Sequence, residues 1–393
     1  MKTRIIILII TFTCGSLSAQ QSSVSDILSR IEKNNTTLKA LRENAEAQKL
    51  SNKTGIYLTG PEAEIGYLWG NPSAIGNRTD ISVKQNFDIG TISGLKNKLA
   101  SDQNILVDLQ YESERIDILL QAKQLLIELA YYNALQQENT SRLKQAGTIA
   151  LSAKTRLDKG DTNVLEYNKS QLHLSAVRAD NEKADLERAA VMTKLRGLNG
   201  GLDIVADNTQ YEQAALPPDF ETWFNMLLTK HPALLYAHRE VELRKKQIAL
   251  NKVAGLPSLS AGFMSEKVLG QQYQGVTVGI SVPLWQNKNR IKQAKAAARA
   301  AEARGEDDKI RIYNHYLLLY NKAAGLQVRA SNLRKSLETL SNTALLKKAL
   351  DAGEISMLEY ILELGLYYDN ITVTLQAERD AQLAMAELRA VDY

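Results

Sequence analysis

Cysteine is almost absent: the chain of 393 residues has one, Cys14. It lies inside an N-terminal stretch that reads as a leader, so the mature chain has no disulfide and no thiolate chemistry. Proline is nearly as sparse, at Pro61, Pro72, Pro217, Pro218, Pro232, Pro257 and Pro283, and residues 73–216 and 284–393 contain none. An interior proline costs a helix roughly 3 kcal/mol, so those two spans are where long unbroken helices are expected. No stretch after residue 20 holds 18 consecutive apolar residues. That excludes a conventional transmembrane helix but not a transmembrane β-barrel, whose strands are short and half apolar. The four histidines, His173, His231, His238 and His315, are scattered, with no HExxH or Cys/His cluster. No metal site, nucleophile with its base, paired acid-base site or phosphate loop is expected, and neither an enzyme nor a cofactor.

The opening MKTRIIILIITFTCGSLSAQ sets Lys2 and Arg4 before an apolar run and then small residues. This is a secretory signal layout, read as residues 1–19 with cleavage near Ala19. Lipidation at Cys14 is disfavoured because Thr11, Phe12 and Thr13 fit a lipoprotein lead-in poorly. Removing Lys2 and Arg4 takes the formal net charge from +4 to +2, and no basic block is dense enough to point to nucleic acid.

What the chain does have is a repeat. LDKGDTNVLEY, Leu157 to Tyr167, returns 193 residues later as LDAGEISMLEY, Leu350 to Tyr360. EKNNTTLKAL and TKHPALLYAH stand 197 apart, as do VKQNFD and ISVPLW. Two copies of one unit follow, read as 20–200 and 219–393 around a linker at 201–218. Each proline-free span is rich in Ala, Leu, Lys, Glu and Gln and is expected to be helical, folded back at Gly160 or Gly353. From Gly94 to Leu157 a continuous helix would run roughly 95 Å. Thirteen of the eighteen positions from Ile118 to Leu135 are apolar or Tyr. Such a wide apolar surface suits a helix held between two neighbours, and a soluble bundle would explain it equally well.

Between the helical parts lie four period-two segments. Ala63, Ile65, Tyr67 and Trp69 alternate with Glu62, Glu64, Gly66 and Leu68, then Ile81, Val83 and Phe87 with Asp80, Ser82, Lys84 and Asn86. Leu259, Ala261 and Phe263 do the same, then Val276 through Leu284. Each reads as a strand of nine or ten residues with one apolar face, and Tyr67 and Trp69 suit a membrane interface. Four strands cannot close a channel-sized barrel, and open edges cannot face lipid, so several chains would have to share one.

With the duplicated halves, KHPAL (Lys230 to Leu234), SVPLW (Ser281 to Trp285) and the two Gly turns, the chain resembles the outer-membrane factor family, the TolC-like exit ducts of tripartite efflux and secretion systems. The resemblance implies a mainly α protein with a transmembrane β-barrel. Long antiparallel helical hairpins would form an α-barrel tunnel in a homotrimer, and four strands per chain would share a twelve-stranded barrel in outer-membrane lipid. It also implies a periplasmic membrane-fusion adaptor docking at Lys159, Gly160, Asp161, Ala352, Gly353 and Glu354, and an inner-membrane transporter of the RND type. Glu166, Glu359 and Glu363 would be candidate gate residues of the lumen, with Leu362 standing where a second acid is common. The compact length and short inter-half segment look more like the heavy-metal-efflux (CzcC-like) branch than the drug-efflux or type I secretion branches. The rival expectation is a periplasmic coiled-coil scaffold that never enters the membrane.

Overall fold

The computed structural model describes residues 23–87, 92–206, 211, 215–285, 288–340 and 342–393. The signal-peptide reading and Cys14 fall outside the described residues. The chain starts with α1 (Val24–Asn34) and α2 (Thr36–Asn52). Asn35 separates them: its side-chain Oδ1 accepts from the Leu38 N–H at 2.8 Å, capping α2, while its Nδ2 donates to the Leu198 carbonyl at 2.8 Å. A buried amide with both ends used fixes the junction, because leaving either unpaired would cost about 1–3 kcal/mol. Then follow β1 (Glu62–Leu68), β2 (Arg78–Phe87), α3 (Ile92–Asp158) and α4 (Val164–Leu198). After the linker come α5 (Phe220–Leu227), α6 (Pro232–Val253), β3 (Ser258–Val268), β4 (Gln271–Ser281), α7 (Arg290–Thr339), α8 (Thr343–Asp351) and α9 (Met357–Leu388). His231 is the N-cap of α6 with Pro232 in its first turn, where the missing N–H has no intrahelical partner to lose.

The strands form one antiparallel sheet in the order β1-β2-β3-β4. Ala63 pairs with Val83, Val83 with Phe263 and Phe263 with Val276, so the apolar positions stack in rows across all four strands. The strand lengths differ from expectation: β1 has 7 residues, β2 has 10, and β3 and β4 have 11 each. Trp69 lies one residue beyond β1. β3 continues past Phe263 to Val268, and β4 starts at Gln271 and stops at Ser281, short of Leu284. The ladder is held by backbone bonds, so it persists into rows such as Ser265 with Gln274 where the apolar alternation has lapsed. Pro283, which has no N–H, cannot extend it.

Helix α3 has 67 residues, about 100 Å at the standard rise. Its wide apolar surface is used in several directions. Ala122, Leu125, Leu126 and Leu129 pack with Ile27 and Ile31 of α1 and with Val191 and Leu195 of α4. Leu99 and Leu106 meet Leu243 of α6, and Ile149 meets Met357, Tyr360 and Leu364 of α9. In the second half Phe220 and Phe224 of α5 pack with Tyr316, Leu319 and Ala323 of α7 and with Met385 and Leu388 of α9. Here the expectation of an unbroken second long helix is corrected: α7 ends at Thr339 and α8 begins at Thr343. The break falls between Leu340 and Asn342, and an asparagine competes for local backbone bonds. Asn342 accepts from the Leu345 and Leu346 N–H groups and restarts the helix.

Candidate functional site: the paired turns and the sheet

Both glycine turns have the same backbone. Gly160 has φ +75° and Gly353 φ +74°. Asp161 N–H donates to the Arg156 carbonyl at 2.8 Å and Gly160 N–H to Leu157 at 3.0 Å; Glu354 N–H donates to Ala349 at 2.9 Å and Gly353 N–H to Leu350 at 3.1 Å. This double pattern satisfies the last carbonyls of α3 and of α8, and the left-handed residue it needs is glycine at least steric cost. Since α3 and the α7–α8 pair both lead away from the sheet, and Ile149 packs on Tyr360 and Leu364, the two turns lie side by side at the end opposite the sheet. Lys159, Gly160, Asp161, Ala352, Gly353 and Glu354 are all exposed there. One turn presents a lysine where the other presents an alanine, so the two surfaces differ in charge.

The carboxylates after each turn are tied into the helix starts. Asn163 caps α4 by accepting from the Glu166 N–H at 3.0 Å, and the Thr162 hydroxyl donates to Glu166 Oε2 at 2.5 Å. Ser356 caps α9 by accepting from the Glu359 N–H at 3.2 Å, and Glu359 Oε2 accepts from the Ser356 N–H at 2.7 Å. The backbone N–H of Ser356, and then its hydroxyl, hold the Glu359 carboxyl below its ordinary pKa. Glu359 is thus one half of a capping box. Glu363, exposed one turn later, borders a groove of about 180 Å³ with Leu333, Leu340, Leu366 and Tyr367.

Below the turns α3 is clasped to α9 by residues that sequence reasoning missed. Arg142 Nε pairs with Glu138 at 2.9 Å, while its other nitrogens donate to Thr372 Oγ1 at 3.1 Å and the Tyr368 carbonyl at 2.9 Å. Its guanidinium sits 4.5 Å from the Tyr368 ring centroid. Gln145 donates to the Tyr360 hydroxyl at 2.8 Å and accepts from that of Tyr368 at 2.7 Å. Burial pushes the Tyr368 phenol up to about 12, with Glu138 adding to the effect. Only the Glu138–Arg142 spacing was visible in the sequence, and it reads as an ordinary surface pair.

At the other end the sheet leaves its apolar face uncovered: Ile65, Val276, Val278 and Ile280 are 77%, 86%, 82% and 69% exposed. Its outer strands, β1 and β4, each pair on one side only. Long helices ending in such a sheet decide the comparison. The fold is that of the outer-membrane factors. CusC, in a structure concerned with folding and transmembrane channel formation, superposes with a TM-score of 0.78 at 14% identity, over 94% of this chain and 91% of that one. The outer-membrane channel CmeC of Campylobacter jejuni gives 0.74 at 14% identity over 94% and 85%, and the open state of the Neisseria gonorrhoeae channel MtrE gives 0.73 at 14% over 94% and 88%. In sequence, the alkaline protease secretion protein AprF of Pseudomonas aeruginosa is 22% identical over 330 residues, 77% of this chain and 66% of that protein, just under two thirds of its length. No family model matches the chain.

In this outer-membrane-factor fold the aromatics fall at both rims of the sheet. Tyr67 and Trp69 meet edge to face with centroids 5.5 Å apart at the rim away from the helices, and Asn77 donates to the Tyr67 hydroxyl at 2.7 Å. Tyr57 and Trp285, 85% and 80% exposed, flank the helix-side rim. Sequence reading passed over these two because they lie outside the alternating runs. His231 is half-buried against the Tyr316 ring at 5.5 Å, and burial, then His315, lowers its pKa.

Proposed function

We propose that this chain is the outer-membrane exit duct of a tripartite export system in a Gram-negative bacterium, with its helices in the periplasm. The observation that carries the reading is the open sheet, apolar on one exposed face and unpaired at both edges, mounted on long helices of which α3 alone runs about 100 Å. An unpaired edge in lipid leaves backbone N–H and C=O groups without partners, a cost of several kcal/mol each. Three copies of a four-stranded sheet in sequence would give twelve strands and no edge. The two-repeat organisation, 20–200 and 219–393 about the 201–218 linker, belongs to the same reading. It would place six glycine turns in a ring at the periplasmic end. Lys159, Gly160, Asp161, Ala352, Gly353 and Glu354 then dock an adaptor linked to an inner-membrane transporter of the RND type. Glu359 and Glu363, with Glu166, line the narrow end of the tunnel. Rings of like charge there repel one another and favour a passage that can open. The duct is passive and not an enzyme.

For cargo we favour heavy-metal cations, on the acidic residues behind the turns and the short segment between the two halves. The similarity to AprF, a protease secretion protein, is the specific observation for a second reading, type I protein secretion. The test is conductance in planar bilayers of wild type against Glu359→Ala with Glu363→Ala. Channels with reduced cation preference in the double variant support duct and gate. Channels indifferent to the change leave the duct without this gate. Repeated failure to insert, with no heat-modifiable assembly, favours the periplasmic scaffold. Unchanged metal tolerance in a deletion strain counts against metal cargo.

A further inference from the structure

Charge is segregated along the helices. The ends next to the sheet are residues 49–55 of α2 and its exit, 92–101 of α3, 244–256 of α6 and its exit, and 288–299 leading into α7. Together these segments hold thirteen Lys or Arg and no Asp or Glu, whereas 44 acids in 393 residues would put about five in such a length. Four ion pairs tie these segments to acids farther from the sheet. Lys49 reaches Asp108 at 2.5 Å, Arg244 reaches Glu240 at 3.0 Å, Lys245 reaches Glu302 at 2.9 Å and Lys246 reaches Asp102 at 2.6 Å. Each acid lies farther along its helix from the strands, so the pairs leave the sheet side positive. Between α3, α6 and α7 the same level holds a cleft of about 460 Å³ lined by Lys96, Arg244, Asn251, Arg290 and Gln293. Exposed Tyr57 and Trp285 lie in the connections between these helix ends and the strands, next to the apolar sheet face.

Apolar band, aromatic rim and cationic collar follow one another in the order in which a bilayer presents hydrocarbon, interface and headgroups. We propose that this collar, with the Lys96–Arg244–Arg290 cleft as its deepest point, binds the phosphates of anionic phospholipids in the leaflet facing the periplasm. The inference rests on the reading of the sheet as membrane-embedded. It gives the duct a fixed depth: the cations anchor the helix-side rim at the headgroups, so the sheet can neither sink nor rise. Each cation near a charged bilayer surface contributes about 1 kcal/mol, or roughly fivefold in affinity.

The test is native mass spectrometry of the full protein in neutral detergent with phosphatidylglycerol, phosphatidylethanolamine or inorganic phosphate. Wild type should retain phosphatidylglycerol over phosphatidylethanolamine by at least about tenfold. Lys96→Gln with Arg244→Gln and Arg290→Gln should lower that ratio at least about fivefold while heat-modifiable assembly and bilayer conductance persist. Lys292→Gln with Lys295→Gln, both exposed on the first turns of α7, should lower the ratio without touching the cleft. Lys194→Gln with Lys335→Gln, far from the sheet, should leave it unchanged. Equal retention of the two lipids by wild type overturns the proposal, as does displacement by millimolar inorganic phosphate, which would mark the cleft as a soluble-anion site. Wild type that inserts into vesicles without lipid preference sinks the collar alone. Wild type that inserts into none sinks the duct reading and the collar with it.

Discussion

Replacing glycine by alanine at four positions separates backbone strain from steric conflict in one scaffold. At Gly160 and Gly353 an added Cβ meets nothing within 4 Å, but φ is +75° and +74°. The cost is therefore torsional, about 1–2 kcal/mol per chain for an L residue in the left-handed region. Gly200 has φ +66°, and its Cβ would come 2.4 Å from the Asn34 carbonyl oxygen, which is backbone and held by the α1–α2 junction. Strain and overlap add there, so about 3 kcal/mol is expected. Gly305 sits inside α7 with open space around a built Cβ and an ordinary helical φ. Alanine there should stabilise by about 0.5–1 kcal/mol. Thermal loss of helical circular dichroism in detergent should order the midpoints as Gly305→Ala, wild type, Gly160→Ala level with Gly353→Ala, and Gly200→Ala lowest. Asparagine at Gly160 should be milder than alanine, because it visits the left-handed region more readily. Gly353→Ala behaving like Gly305→Ala, or Gly200→Ala tolerated as well as the exposed turns, would refute torsional strain and overlap as the causes.

Further expectations can be checked on the same preparation. Arg142→Met leaves Glu138 without its partner beside the α3–α9 contact and should cost about 3 kcal/mol, read as a lower thermal midpoint; a change below about 0.5 kcal/mol would remove the clasp from the stabilising contacts. Val278→Arg places a charge on the exposed apolar sheet face and should cost about 2–4 kcal/mol in a bilayer; full assembly of that variant in vesicles would refute a lipid-facing sheet. Ser356→Ala removes an N-cap and should cost about 1 kcal/mol. The Glu359 carboxyl is held below its ordinary 4.5, so its capping contribution is complete above that value and disappears as pH falls through the lower folded-state pKa. Helicity should therefore drop on acidification below about 4.5, with a smaller acid response in Glu359→Gln.

The sequence by itself determined the parts governed by local rules. Proline placement bounded α3 and α4, period two announced four strands, and the recurrence of LDKGDTNVLEY as LDAGEISMLEY marked two turns whose backbones prove identical in pattern. Each of these depends on residues within a few positions of one another, as helix geometry, strand pleat and left-handed caps do. The break between α7 and α8, after Leu340 and before Asn342's turn into α8, is one that a proline count alone could not show. Only the tertiary structure decided what faces what. Arg142 reaches Thr372 across 230 positions and Asn35 reaches Leu198 across 163. No periodicity encodes a polar side chain whose partner lies on another helix. The cationic collar has the same origin: its basic residues come from four separated segments, and they become one belt because antiparallel packing brings those helix ends to the level of the sheet.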